Sequence, residues 1–101
     1  MFTKLPHRYG AESDEGFAVI RDGSPLTQFV LRYIEGGYEL ECPLENIVPE
    51  AVDHINLDSL KSWLPPHSSE PIEMAKRRQI AERICAAMHF LGAACEITGA
   101  K

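Results

Sequence analysis

The sequence predicts an α+β domain in which an antiparallel sheet carries one long helix on one face and a final strand returns to it. Three observations carry this. Residues 1–60 are rich in β-branched and aromatic residues punctuated by Gly and Pro. Gly36-Gly37 stands between two such runs, and a helical spacing of apolar residues runs to Leu91 and stops at Gly92. One domain is expected over residues 1–101, with 1–60 mostly β and acidic, 70–91 the main helix and 94–98 the last strand.

Gly10 to Gly16 reads as a polar, acidic loop. Phe17 to Asp22 reads as a strand ended by Gly23-Ser24-Pro25. The runs Thr27 to Glu35 and Tyr38 to Leu44 then form a hairpin on a two-residue turn at Gly36-Gly37. Such a turn sets the register. Tyr33 faces Leu40, Leu31 faces Cys42 and Phe29 faces Leu44 on one apolar side, while Ile34 faces Glu39 and Arg32 faces Glu41 on the other.

Residues 47–60 admit two readings. His54 to Leu57 fits a short strand followed by one turn through Leu60 capped by Asp58, whereas Val48, Val52 and Ile55 also fit a helix starting at Pro49. Trp63-Leu64-Pro65-Pro66-His67 reads as extended, because proline fixes φ and drives its predecessor out of the α region. Ser68-Ser69-Glu70-Pro71 reads as a helix start with a Ser cap and a proline in the first turn. The stripe Ile80, Ile84, Met88 (or Ala87) and Leu91, flanked by Ala81 and Cys85, faces the core. In the last strand Cys95 and Ile97 alternate with Glu96 and Thr98.

Charge is distributed unevenly. Residues 1–60 hold four basic and eleven acidic groups, net −7, and residues 61–101 hold six basic and four acidic groups, net +2; the whole chain carries −5. A net negative charge argues against nonspecific nucleic-acid binding and favours a basic protein partner, because such asymmetry steers association. The candidate contact residues are Glu35, Glu39, Glu41, Glu45, Glu50, Asp53 and Asp58, with Glu39, Glu41 and Glu45 expected on one strand face. A solvated sheet face is the plainer reading of each residue taken singly. The basic residues Lys76, Arg77, Arg78 and Arg83 are mixed with Glu73 and Glu82, as on an ordinary solvated helix face.

Catalytic motifs are lacking: there is no G-x-S-x-G, no Gly-rich phosphate loop and no H-E-x-x-H. The four histidines, His7, His54, His67 and His89, are separated in sequence. Cys42, Cys85 and Cys95 form no C-x-x-C pair and read as reduced buried thiols. Cys85 and His89 share a helix face, but a metal shell built on them would need the fold to recruit Cys95 and Cys42. No cofactor is expected. No apolar run is long enough to cross a membrane, and the N-terminus lacks a signal peptide's apolar stretch, so a cytoplasmic location is the expectation; the oligomeric state is left open, with a monomer favoured.

The order of elements also resembles a known group. A hairpin-rich acidic half leads into Ile55-Asn56-Leu57-Asp58-Ser59-Leu60, then Trp63 and Pro65-Pro66-His67, a helix and a Gly92-terminated return strand. This is similar to small immunity proteins of bacterial polymorphic-toxin and contact-dependent growth-inhibition systems, mainly over residues 55–97. The resemblance implies a non-enzymatic cytoplasmic antitoxin that binds a cognate toxin domain and blocks its active site or substrate access. Many such toxins are basic nucleases, which suits an acidic inhibitor. No contact residue transfers by motif, and Trp63, Pro65, Pro66 and His67 are expected to be structural. The alternatives are an interaction module of another role, or a Cys/His metal-binding regulator or enzyme.

Overall fold

The computed structural model describes residues 1–6, 9–22, 30–43, 45–47 and 52–99. Five strands form an antiparallel sheet in chain order: β1 (Phe2–Lys4), β2 (Tyr9–Ser13), β3 (Phe17–Asp22), β4 (Val30–Glu35) and β5 (Tyr38–Pro43). A second sheet joins β6 (Glu45–Ile47), β7 (Val52–Asn56) and β8 (Cys95–Thr98). Helix α1 (Met74–Phe90) and a short 3-10 turn at Leu57–Ser59 complete the described structure. The α+β class and the long helix stand as the sequence implies.

The β4–β5 hairpin forms in the expected register, with Leu31↔Cys42, Tyr33↔Leu40, Arg32↔Glu41 and Ile34↔Glu39. Gly36 and Gly37 both have positive φ, 53° and 86°, which a two-residue turn matched to strand twist demands of its central residues. The expected Phe29–Leu44 pair and the turn at Gly23-Ser24-Pro25 lie outside the described residues.

Four expectations need correcting. Residues 9–13 are not a loop: β2 lies between β1 and β3, and its inward residues are the small Ala11 and Ser13, both buried. The main helix starts at Met74, with Glu73 as N-cap, and not at the serines. Ile72 is 3% exposed, and seating it in the core keeps the chain extended there, with Pro71 bridged to Ser62. Only the start of residues 63–67 is extended. The chain reverses at Pro65-Pro66, a cis peptide, where the N–H of His67 donates to the Leu64 carbonyl at 3.1 Å. The 57–59 turn is capped by Asn56, whose side chain accepts from the Asp58 N–H at 2.9 Å, and not by Asp58.

The last strand also returns differently. It runs parallel to β7, pairing Ile97 with Ile55, in the second sheet. The strand reading of residues 54–56 is the one realised; the alternative helix start at Pro49 lies outside the described residues.

Helix α1 buries Ile80, Ala81, Ile84, Cys85, Ala87 and Met88, so both alternatives for the third core position are used. They meet Val19, Leu31, Tyr33 and Leu40 of the large sheet, Ile55 of the small one, and Leu57 and Leu60 between them. The helix ends in a Schellman arrangement: Ala93 N–H donates to Met88 and Gly92 N–H to His89, with Gly92 at φ 89°. Removing this much apolar surface from water is what holds sheet and helix together.

Candidate functional site

Strand alternation divides the five-stranded sheet into a helix-covered face and an outer one. Two rows cross the outer face. One runs Thr3, Glu12, Ala18, Ile34, Glu39, and the next runs Gly10, Ile20, Arg32, Glu41. Ala18 and Ile34 are half-buried, Ile20 is buried, and Glu12 and Glu41 are exposed. The face is thus an apolar centre with carboxylates on both flanks, and α1 packs on the opposite side. Arg32 and Glu41 approach to 4.0 Å, so one carboxylate there is partly balanced.

The candidate acids whose placement is described fall on more than one surface. Glu39 and Glu41 share the outer face of β5. Glu45 does not continue that row, because the five-stranded sheet ends at Pro43 and Glu45 pairs with His54 in the second sheet. Asp53 lies beside it on β7, opposite Asn46 and Cys95, and Asp58 is exposed in the 57–59 turn. Glu50 lies outside the described residues. Sequence reasoning misses Glu12 because its segment reads as loop; the signal present is the alternation of Gly10 and Glu12 with Ala11 and Ser13.

Glu35 faces the helix. Being two residues from Tyr33, it shares that residue's side of the strand. Its Oε1 accepts from Tyr33 Oη at 2.6 Å, from Lys76 Nζ at 2.9 Å and from Arg83 Nη1 at 3.2 Å. Arg83 also donates to Tyr33 Oη at 2.9 Å and lies over the Phe17 ring at 4.7 Å. Burial works against the ionised Glu35 carboxyl. The bonds from Tyr33 and Lys76, with the charges of Lys76 and Arg83, outweigh it and hold the carboxyl below its ordinary value. Burial also raises the Tyr33 phenol, reinforced by Glu35 and opposed by Arg83.

Beside this cluster the Trp-x-Pro-Pro-His element folds onto β5. The Leu64 N–H donates to the Glu39 carbonyl at 2.7 Å, tying the segment to the sheet edge. Trp63 is 8% exposed and packs against Tyr33 and Tyr38 with centroids at 6.5 and 5.1 Å. The turn at Pro65-Pro66 places His67 on the Tyr38 ring at 3.8 Å, and His67 Nδ1 lies 2.6 Å from Glu70 Oε2. Tyr38 Oη donates to the other Glu70 oxygen at 3.0 Å. Those bonds, from His67 first and then Tyr38, lower the Glu70 pKa. Glu35, Tyr38, Trp63, Glu70 and Lys76 line a groove of about 300 Å³ between hairpin tip and helix start.

The remaining candidates for chemistry separate. His54 lies on β7, His67 in the 65–70 turns and His89 in the last turn of α1, while His7 lies outside the described residues. Cys42 contacts Ser59, with Sγ 3.5 Å from Oγ, and Cys85 contacts Cys95. Among the described residues no three His, Cys, Asp or Glu side chains are grouped to hold a metal ion. No helix of the described structure is long and apolar enough to cross a membrane.

Searches of curated proteins and of solved structures each find no match. A family model does: Immunity protein 74 matches residues 26–98, from before β4 through β8. The chain belongs to the Immunity protein 74 family, one of the families of toxin-system immunity proteins.

Proposed function

We propose that this protein neutralises a cognate toxin domain by binding it through the outer face of the five-stranded sheet. Family membership supports the antitoxin role. The observation that carries the choice of surface is the arrangement on that face, an apolar centre of the half-buried Ala18 and Ile34 flanked by Glu12, Glu39 and Glu41. Apolar area supplies binding energy once desolvated, and the flanking carboxylates raise the encounter rate with a basic partner. A basic toxin of nuclease type fits this face best. The protein acts in the cytoplasm as a monomer by occluding the toxin's active site or substrate path, without catalysis of its own.

Co-expression with the toxin domain encoded beside its gene tests the role. Cells survive and the two proteins co-purify, with a complex that weakens as salt rises. Death of the co-expressing cells, or survival without a complex, contradicts the proposal.

A further inference from the structure

We propose that Cys85 and Cys95 are a redox modification site that closes to a disulfide, joining α1 to β8. The two sulfurs lie 2.6 Å apart, on elements that meet only through tertiary packing. A disulfide bond is about 2.05 Å long, so bridging asks for about 0.5 Å of side-chain movement. The residues are 7% and 8% exposed, and both line an open groove of about 520 Å³ with Glu82, Ala86, His89, Glu96 and Ile97. The pair is thus packed against the core on one side and reachable on the other. Cys42, on β5, has its Sγ 3.5 Å from Ser59 Oγ.

The groove's side chains select the oxidant. Glu82 and Glu96 repel anions such as glutathione disulfide, which leaves a small neutral peroxide as the suitable reagent. One sulfur, as thiolate, attacks a peroxide oxygen. The O–O bond breaks, the sulfur becomes a sulfenic acid, and the departing hydroxide is protonated to water. The second sulfur, losing its proton, attacks the sulfenic sulfur; the S–S bond forms, the S–O bond breaks, and a second water leaves. His89 lines the same groove.

The test uses the full chain treated with hydrogen peroxide and digested with trypsin without reduction. Cleavage after Arg83 leaves both cysteines in one peptide, residues 84–101, and Cys42 in another. The proposal expects the 84–101 peptide two hydrogens lighter, restored by a reductant, with the peptide holding Cys42 unchanged. Oxidised protein melts higher than reduced protein by about 10 °C, because the crosslink restrains the unfolded chain. C42S retains both effects and C95A loses both. An unmodified 84–101 peptide, or stepwise oxygen addition to it without crosslinking, overturns the proposal. Wild-type protein alone decides between these outcomes, so misfolding of C95A leaves the test intact.

Discussion

Lys76, in the first turn of α1, reaches both carboxylate oxygens of Glu35 at the tip of the β4–β5 hairpin, at 2.9 and 3.1 Å. With Arg83 and Tyr33 on the same carboxylate, this fixes the helix start over the open end of the sheet. Glu35 is therefore a fold-holding acid, although it belongs to the acidic half of the chain.

Glu35→Gln is expected to cost about 1–2 kcal/mol of stability, since charge-assisted bonds give way to neutral ones. Denaturant titration measures this. The folded-state pKa is lowered from 4.5, so the ionised carboxyl stabilises the fold above that value. The contribution is lost as pH falls through the folded-state pKa. The gap between wild type and variant should thus be full at neutral pH and should close below about pH 4.5. A constant gap across that range would contradict the bonding described.

Trp63 anchors the 61–72 crossover by packing on Tyr33 and Tyr38. Trp63→Ala is expected to destabilise by about 3 kcal/mol or more, and Trp63→Phe by less, because Phe refills part of the vacated volume. Thermal unfolding followed by circular dichroism ranks the two; equal losses would argue against packing as the cause.

Gly10 shows why a strand can hide in a segment that reads as loop. A Cβ built there meets the Val19 carbonyl oxygen at 2.6 Å and the Leu5 side chain at 3.1 Å. Gly10→Ala must push β2 away from β3 and is expected to cost about 1–3 kcal/mol, read by chemical denaturation. An unchanged midpoint would mean that the β2–β3 contact is looser than described.

How far the sequence reaches depends on what each element exposes to a pattern argument. Gly36-Gly37 permits one tight turn, and an alternating apolar face punishes any slip, so the β4–β5 register is readable residue by residue. The α1 stripe is readable for the same reason, and its Gly92 stop follows from positive φ. β1 and β2 are not, because Gly10, Ala11 and Ser13 carry no apolar signal; their burial comes from neighbours. The second sheet is not readable either, since β6 is three residues long and β7–β8 pairing bridges distant segments. In the site, Glu35's inward direction follows from its parity with Tyr33, while its partners Lys76 and Arg83 depend on where α1 lands. The Cys85–Cys95 contact depends on the turn after Gly92 in the same way.

In the proposed complex the outer sheet face, and not the acidic half at large, meets the toxin. The direct measurement is the stopped-flow association rate with the toxin domain encoded beside the gene, for wild type, E39K/E41K and E35Q, at low and high salt. The predicted result is that E39K/E41K associates about tenfold or more slowly at low salt, with the difference shrinking as salt is added, while E35Q keeps the wild-type rate despite its lower stability. A wild-type rate for E39K/E41K, or a larger loss for E35Q, would contradict it.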